Sequence, residues 1–575
     1  MLPRVAALAG VTAVAAALGI YGPALRGALI SDDLFLLTAP EIQSLTWANL
    51  VAILDPTGRV AETYVNYSPV HALGHALEIQ VFGAETFGHH VVNVVLHALN
   101  ACLLAALFVS TRIGRVAALV GGALFLVHPA NVEAVAWISQ LKTTLAFTLA
   151  LGALLAHARR PVAATVMFGL ALLCKPHAAF ALPVLAAFEW TGVRRADPED
   201  PPRWRWVGVW AVVFAGFALL ELPLFFAAGR HDLHGLEDAP WVHLRTTVAI
   251  AARYLVMAAT GRGVSAVHEP PLAAMVSDGW WLAGAVALAA LAWRLWVTLR
   301  ARRVEAAYWI WAAAAFAPVS QVFPFLNLMA DRYLYFILPG LIGASLLTAE
   351  AALARLGAGA RRRLAARVLV AAAAVAMVFF AAASHRRAQI WRHYDAYLVD
   401  AAVNYPDGIT AHVLRAKGAA RSGDVDAAVA ALRAARERGW QYVGLVFRDP
   451  AFQGIRSDPR FLELARELTR DLLEEVRARP RPTAVDLQTL AQVHLWRDEP
   501  DEAVAALERA LQLEGADRAR LRQALRQIRG SNSEAGRGPD APALPQARAA
   551  PRPERSAPVV DPETQKGPRE LGNVH

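Results

Sequence analysis

The chain has 575 residues, of which 56% are hydrophobic and 18% are charged, and its mean hydropathy is +0.35. This composition excludes an ordinary set of soluble domains and a wholly disordered chain, and it is typical of a polytopic membrane protein. The 57 Lys and Arg outnumber the 48 Asp and Glu. Because many arginines lie in short clusters between apolar stretches, the basic balance indicates membrane topology, and no nucleic-acid partner is predicted. Cys102 and Cys174 both lie in apolar runs, so neither a disulfide framework nor a cysteine-based zinc site is predicted.

Eleven stretches of the chain lack Asp, Glu, Lys and Arg, and a bilayer span takes about 20 apolar residues. The first stretch has the position of a signal peptide, but its apolar run exceeds the about 7–15 residues of a signal core. Since further stretches follow, we interpret it as a transmembrane helix. The shorter stretches must include flanking polar residues to span the bilayer. The stretches are residues 5–25, 86–111, 116–132, 143–158, 161–174, 176–188, 207–220, 279–293, 306–330, 333–349 and 368–385.

Clusters of arginine between these stretches indicate the orientation of the spans. Cytoplasmic loops carry the excess of Lys and Arg, and with eleven spans all the clusters fall on one side. The amino terminus is then cytoplasmic, whereas the loop of residues 26–85 and everything after residue 385 lie outside. One further apolar stretch, residues 243–260, contains Arg245 and Arg253. Burying each cation in lipid would cost about 2.5–3.5 kcal/mol, so we interpret this stretch as interfacial or as lining a cavity.

After residue 385 the chain has the character of a soluble helical domain, predicted for residues 386–529. Ala428 and Leu432, and again Ala503 and Leu507, place a small residue four positions before a leucine. This spacing resembles the tetratricopeptide helix pair, although about three repeats are usually needed for a stable stack. Residues 530–575 are rich in Pro, Ala, Arg, Ser and Glu without periodicity, so a disordered tail is predicted there.

Two adjacent carboxylates, Asp32 and Asp33, follow the first predicted span on its outer side. One interpretation is an N-cap, in which an acidic side chain accepts the first free amides of a short helix. The other is a general base, because a carboxylate near a low-dielectric boundary has a raised pKa and can take a proton from a hydroxyl.

A second group, His128 and Glu133, lies at the outer end of the third predicted span. Their offset of five does not place both on one helix face, but Pro129 permits a turn between them. They are interpreted either as buried residues satisfied by neighbours or as members of a site. A metal is disfavoured because only two ligands are present and no second His follows at helical spacing.

Charged residues interrupt apolar runs at two further places on the outer side. Lys175 separates two apolar stretches, and Asp331, Arg332 and Tyr333 open another. Charges within a membrane are costly and are therefore functional candidates. Lys175 as a point charge and Arg332 as a bidentate fork can bind a phosphate. The alternative is that Asp331 and Arg332 pair with neighbouring helices or extend to the interface.

A polar stripe is predicted along one helix face, because Asn93, His97 and Asn100 recur at offsets of four and three. Hydrogen bonding between helices accounts for this stripe. The histidines of this region, including His71 and His89, are not assigned as metal ligands.

In order, five motifs of the chain resemble the bacterial relatives of the transmembrane and tetratricopeptide repeat (TMTC) proteins. Those proteins are similar to polytopic GT-C glycosyltransferases, which include the protein O-mannosyltransferases. The resemblance covers about residues 1–515. The motifs are the Asp32-Asp33 pair, FGHHVVNVVLHALN at 87–100, HPANVEAVAW at 128–137, LLCKP at 172–176 and ADRYLY at 330–335.

We therefore expect an all-α fold: a GT-C-like transmembrane domain of about eleven spans over residues 1–385, with an outer loop at 26–85, followed by the tetratricopeptide-like domain. The resemblance implies transfer of a sugar from a polyprenyl-phosphate donor to a hydroxyl of a protein or glycan on the outer face. No cofactor is implied, and a requirement for a divalent ion stays open. The implied roles are catalysis for Asp32 or Asp33, donor binding for Lys175, Arg332 and His128, and shaping of the site for Glu133, Asp331, Tyr333 and Asn93.

The expected partners are the lipid donor, the acceptor, membrane lipid and a protein bound by the tetratricopeptide helices. The usage of Ala and Arg suggests a bacterium, so the expected location is the inner membrane with the helical domain periplasmic. At two places the chain departs from the family, and these departures favour a different function. The family usually has Arg at the position of Ser68 and Arg-Lys-Asp within residues 140–143. The alternative is a non-catalytic scaffold for envelope assembly; a transporter is a weaker one, since no internal inverted repeat is found.

Overall fold

The computed structural model describes residues 2–64, 66–194, 201–227, 239–322, 327–440, 443–477, 482–513 and 518–533. The regular structure in this part of the chain is helical, with no strand, so the predicted all-α fold is confirmed. The chain divides into two compact units, Met1–Asn404 and Tyr405–His575. The sequence placed this boundary at residue 385. The predicted disordered tail lies outside the described residues from residue 534 onward, and the described residues 530–533 belong to a helix.

The first unit is built from helices of very different length. Its helices are α1 (Leu2–Tyr21), α2 (Asp33–Thr38), α3 (Trp47–Leu54), α4 (Arg59–Tyr64), α5 (Pro69–Phe82), α6 (Thr86–Ser110), α7 (Arg115–Val127), α8 (Val132–Ala136), α9 (Leu141–Ala156), α10 (Pro161–Leu172), α11 (Ala181–Thr191), α12 (Trp204–Ala227), α13 (Pro240–Thr260), α14 (Gly279–Arg300), α15 (Glu305–Phe316), α16 (Asp331–Arg355), α17 (Ala360–Ala388) and α18 (Tyr394–Asn404).

Each of the eleven apolar stretches contains a helix, but not every helix is long enough to span. Among the described residues, seven helices are long and apolar enough to cross a membrane, or eight if the bent pair α7 and α8 is one span. The pair bends by 52° around Pro129. Helices α10, α11 and α15 have only 12, 11 and 12 residues. The long apolar helices indicate an integral membrane protein. The sequence predicts about eleven spans, which is more than the number of helices long enough to cross a membrane.

The polar stripe of α6 bonds to neighbouring helices. The Asn100 amide donates to the carbonyl of Thr144 on α9 at 2.9 Å and to the hydroxyl of Tyr335 on α16 at 3.0 Å. His97 Nδ1 lies 2.9 Å from the same Tyr335 hydroxyl. All three polar side chains of this group are fully buried. Since buried polar groups stabilise a fold only when they are bonded, this network fixes the mutual position of α6, α9 and α16.

Helices α15 and α16 approach each other closely because glycine occupies the contact. A Cβ atom at Gly340 would lie 2.5 Å from the backbone nitrogen of Ala312, and one at Gly343 would lie 2.3 Å from the ring of Tyr308. Neither Gly340 nor Gly343 has room for a larger residue. Small residues at such crossings allow backbones to pack at short distance in membrane proteins.

Helix α13 contains the two cations that the sequence placed at an interface or cavity. Arg245 donates to the carbonyls of Ala273 and Ala274 at 2.9 and 2.6 Å. The guanidinium of Arg253 lies 4.5 Å from the ring centre of Trp280 on α14. Both cations therefore have protein partners, which lowers the cost of placing them in an apolar stretch.

The second unit consists of helical hairpins with two apolar cores. Gly423, at φ +78°, joins α19 to α20, where a left-handed conformation suits glycine. Ala428 and Leu432 are fully buried in the first core, and Ala503 and Leu507 in the second. Assignment to the tetratricopeptide class stays a prediction. The helices are α19 (Ile409–Arg421), α20 (Val425–Glu437), α21 (Val443–Arg448), α22 (Pro459–Leu468), α23 (Arg470–Arg477), α24 (Ala484–Trp496), α25 (Pro500–Leu511) and α26 (Arg518–Ser533).

Candidate functional site

The two adjacent carboxylates have different surroundings. Asp33 is 1% exposed and accepts hydrogen bonds from the backbone amides of Ile30 at 2.9 Å and Ser139 at 2.8 Å, and from the Ser139 hydroxyl. Asp32 is half-buried and accepts one long hydrogen bond, from the Ser31 hydroxyl at 3.3 Å. Asp33 therefore anchors the turn, whereas Asp32 keeps the acceptor capacity of a carboxylate. Neither acid caps α2 with its side chain, so the N-cap interpretation is not supported.

The turn that carries these acids is held by the segment between α7 and α9. The Trp137 indole donates to the carbonyl of Ile30 at 3.0 Å and stacks on Trp391, with ring centres 5.7 Å apart. The Asn93 amide in turn donates to the carbonyls of Trp137 and Ile138 at 3.1 and 3.2 Å. Asn93 thus holds the backbone segment that contacts the acidic turn. Ser31, at φ +54°, adopts a left-handed conformation there, a feature that recurs at functional sites.

Two cations interact with Asp32, and a third interacts with both of them. Asp32 interacts electrostatically with both Lys142 and Arg332, and Lys175 interacts with Lys142, Arg332 and Glu133. Lys142 was not assigned a role from the sequence. The sequence could have indicated Lys142, because it is a cation at the edge of an apolar stretch. The same criterion selected Lys175. The cluster of Asp32, Lys142, Lys175, Glu133 and Arg332 is called the carboxylate–cation cluster below.

Glu133 and Arg332 form a buried ion pair within this cluster. The guanidinium of Arg332 donates to one oxygen of Glu133, and the backbone amide of Arg332 donates to the other at 2.7 Å. Glu133 is 1% exposed. The carboxylate therefore also satisfies a free amide in the first turn of α16, where a negative charge is favoured. The guanidinium also lies 5.4 Å from the ring centre of Trp137, within the range of a cation–π contact.

Lys175 has a neutral partner. Its ammonium donates to the hydroxyl of Thr143 at 2.6 Å, and Thr143 donates to the Gln140 carbonyl oxygen at 2.7 Å. Burial, together with the charges of Lys142 and Arg332, holds the pKa of Lys175 well below its usual value. An anion placed among these cations would oppose that effect and stabilise all three charges. The chemistry of this cluster therefore suits a phosphate or a similar anion.

The structure does not place every predicted residue in this cluster. His128 accepts from the Ala130 amide at 3.2 Å and its other ring nitrogen lies 3.1 Å from the carbonyl of Ala258. Since both nitrogens have partners, the structure does not support the phosphate-binding role implied for His128. Asp331 is fully buried between His268, at 2.7 Å, and Arg387, at 3.4 Å. It joins the loop after α13 to the end of α17.

Tyr333 contacts the cluster, whereas Ser68 contacts its own loop. Tyr333 is 3% exposed, its ring centre lies 5.0 Å from the Arg332 guanidinium, and it stacks on His177 at 6.1 Å. Its ring therefore packs between the Arg332 guanidinium and His177. Ser68, at the start of α5, donates weakly to the carbonyl of Asn66 at 3.4 Å and contributes no charge.

Within the described part of the chain, Asp32 and Asp33 do not combine with His or Cys into a three-ligand metal set.

The titration of Asp33 has a consequence for stability. Burial raises the pKa of its carboxyl to about 7, and hydrogen bonds from Ser139 and Ile30 partly oppose the rise. Between about pH 4 and pH 7 the folded protein then binds more protons at this site than the unfolded chain, so stability falls as pH rises through this window. We expect the apparent Tm of the detergent-solubilised protein to fall less over this window in Asp33→Asn, which cannot titrate. An equal fall in the apparent Tm of the wild type and of Asp33→Asn would contradict a raised pKa at Asp33.

The fold and the carboxylate–cation cluster define a helical integral membrane protein with a charged site at the ends of its apolar helices. Curated relatives match part of it. The chain is 34% identical over 145 residues, 24% of this chain and 15% of the relative, to protein O-mannosyl-transferase TMTC1 of Mus musculus. It is 32% identical over 145 residues to the Homo sapiens protein of that name, and 33% identical over 125 residues to the Drosophila melanogaster protein.

The match spans 16% of the human relative and 15% of the Drosophila one, and 24% and 20% of this chain. The chain is thus partly homologous to these proteins and similar to them over a short region. No protein-family model matches the chain, and no solved structure matches it significantly.

Proposed function

We propose that the chain is a membrane glycosyltransferase of GT-C type that moves a sugar from a polyprenyl-phosphate donor to a hydroxyl on a protein or glycan. The observation that carries the proposal is the carboxylate–cation cluster, in which the half-buried Asp32 interacts with Lys142 and Arg332, and Lys175 interacts with the same two cations. The names of the partial relatives, protein O-mannosyl-transferases, support the reaction class. A mannosyl donor is therefore the first to test.

The proposed reaction is a direct displacement. Asp32 takes the proton from the acceptor hydroxyl, and the acceptor oxygen forms a bond to the anomeric carbon of the sugar. The bond from that carbon to the phosphate oxygen breaks on the opposite face, so the configuration is inverted. The polyprenyl phosphate leaves with the electron pair, and Lys175 and Arg332 stabilise its negative charge.

Thr143 supports donor binding in this proposal. Its hydroxyl holds the ammonium of Lys175 without neutralising it, whereas an Asp at this position would form an ion pair. The departure from the family at residues 140–143 is therefore compatible with an anionic donor. The second candidate function, a non-catalytic scaffold, is favoured by the uncharged Ser68.

Removing the Lys175 charge tests the donor site. In proteoliposomes supplied with polyprenyl-phosphate mannose, Lys175→Met is expected to raise the KM for the donor by about 10- to 100-fold, since a hydrogen bond to a charged group contributes about 1.5–3 kcal/mol. Arg300→Met, which removes an exposed cation at the far end of α14, is the matched control and should leave KM unchanged. Transfer by the wild type from a nucleotide sugar alone would contradict the proposed donor, and no transfer from either would favour the scaffold.

We also propose that the acidic turn faces the extracytoplasmic side of a bacterial inner membrane, together with the helical second unit. Trp47 is 79% exposed on α3, and Arg362 is exposed at the start of α17. In intact cells, Trp47→Cys is expected to react with a membrane-impermeant maleimide, whereas Arg362→Cys reacts only after permeabilisation. The parent protein, with half-buried Cys102 and buried Cys174, gives the background. The reverse pattern would place Asp32 in the cytoplasm and exclude the proposed donor side.

A further inference from the structure

Helices α5 and α6 bring together three side chains of the kinds that bind metal ions. In the sequence these residues do not form a known metal-binding motif. His75 Nδ1 lies 2.8 Å from Glu78 Oε2, and His89 Nδ1 lies 3.0 Å from the same oxygen. Their ligand atoms all lie within 4.8 Å of one another. His75 is fully buried, and His89 and Glu78 are 2% and 6% exposed.

The spacing of these residues explains how they meet. His71 and His75 are one turn apart on α5, and Glu78 follows His75 at the i, i+3 offset, so all three lie on one helix face. Gly83, at φ +60°, ends α5 and permits the turn into α6, which delivers His89 from its first turn. No short motif reveals this arrangement, because one of the three ligands comes from the next helix.

Two polar atoms of this group lack hydrogen-bond partners among the described residues, although they are buried. These atoms are Nε2 of His75 and Oε1 of Glu78. The rings of His71 and His75 lie 4.6 Å apart between centres, and His71 is fully buried. Leaving a polar group buried without a partner costs about 1–3 kcal/mol. A bound ion would give such a concentration of nitrogen and oxygen atoms a common partner.

We propose that His75, Glu78 and His89 bind a transition-metal ion of the Zn²⁺ class, with His71 as a further nitrogen donor beside them. Imidazole and carboxylate ligands suit Zn²⁺, and its ligand atoms lie about 3.4 Å apart in a tetrahedral site with bonds near 2.1 Å. The two nitrogens need to move only slightly away from the Glu78 oxygen to reach such a geometry. The metal replaces the hydrogen atoms that now join His75 and His89 to Glu78.

One further contact supports the ligand set. His89 Nε2 lies 3.1 Å from the carbonyl of Gly83, so its N–H can donate there while Nδ1 binds the metal. Such an outer hydrogen bond fixes the tautomer of a metal-binding His.

The bound ion would link α5 to α6. Because the three side chains are almost completely buried, we infer a structural ion rather than one that binds substrate. The inference does not depend on sugar transfer, because metal content and stability are measured without a donor or acceptor.

The test measures zinc in the full-length protein purified in detergent. We expect the wild type to retain close to one zinc per chain after dialysis and to show a higher apparent Tm with Zn²⁺ than with Mg²⁺, which prefers oxygen ligands. Glu78→Gln, which keeps the shape of the side chain, should bind Zn²⁺ at least about tenfold more weakly. His157→Gln is the matched control, because His157 forms a comparable buried contact with Glu189 at 3.2 Å outside the group.

Wild-type protein that binds no stoichiometric zinc, or Glu78→Gln protein that binds it as tightly as the wild type, would overturn the proposal. Both outcomes would mean that the three side chains form only a hydrogen-bonded cluster. If Glu78→Gln does not accumulate, His89→Asn removes a single ligand from α6, and the zinc content of the wild type remains decisive by itself.

Discussion

Asp32→Asn is expected to lower the rate of sugar transfer by about 10²- to 10⁴-fold, the usual contribution of a general base. The apparent Tm should change little, because Asp32 is half-buried and accepts one long hydrogen bond, from Ser31 at 3.3 Å. The measurement is transfer of labelled mannose in proteoliposomes, together with thermal unfolding of the same protein preparation. If Asp32→Asn transfers at the wild-type rate, Asp32 is not the base and the proposed mechanism fails.

Asp33→Asn is the matched control for that experiment. Asp33 uses one oxygen for Ile30 and the other for Ser139. An amide offers a single oxygen acceptor, so one buried donor loses its partner at a cost of about 1–3 kcal/mol. Asp33→Asn should therefore lower stability near pH 5 while folded protein keeps part of its activity. A total loss of transfer at unchanged stability would assign catalysis to Asp33 and reverse the two roles.

Glu133→Ala is expected to destabilise the protein by about 3–5 kcal/mol, since removing one partner of a buried ion pair leaves the other charge without compensation. The charge left behind is that of Arg332, whose side chain is 16% exposed. The same change removes the acceptor for the amide of Arg332 at the start of α16. The yield of monodisperse protein and its apparent Tm measure the effect.

A second buried pair separates stability from activity in that experiment. Glu305 is 3% exposed and binds Arg294 through two hydrogen bonds of 2.7 Å, away from the carboxylate–cation cluster. Glu305→Ala should also destabilise the protein, but transfer per folded molecule should stay near the wild-type value. The double variant Glu133→Gln with Arg332→Gln should recover stability relative to Glu133→Ala without recovering transfer. Wild-type stability of Glu133→Ala would show that the pair is not needed for folding.

The positions of the apolar helices could be predicted from the sequence because hydropathy is a local property. Their breaks could not be placed as well. The connection at Pro129 bends by 52°, and 3-10 turns containing Pro176 and Pro318 end neighbouring helices early. Proline removes an amide donor and permits a helix to end, but local sequence does not say whether the helix bends or stops. The number of spans was therefore less predictable than the number of apolar stretches.

The roles within the site depend on contacts that are distant in the chain. The sequence could not distinguish Asp32 from Asp33, because the difference arises from Ser139, which is 106 residues away from Asp33. A distant contact also explains why the sequence could not place His128. One ring nitrogen of His128 lies near the carbonyl of Ala258, 130 residues away, so that nitrogen is not left to bind a phosphate. Lys175 and Arg332 were accessible to prediction since an isolated charge in an apolar stretch is informative by itself.

The attachment of the acidic turn to Trp391 constrains where the chain can be cut. The amide of Ala28 donates to the carbonyl of Arg392 at 3.0 Å, and a Cβ atom at Gly27 would lie 2.6 Å from the carbonyl of Trp391. A minimal fragment ending at residue 385 would lose this support and expose the indole of Trp137. A fragment intended for reconstitution should therefore extend through α18 to Asn404, even though the last apolar helix ends sixteen residues earlier, at Ala388.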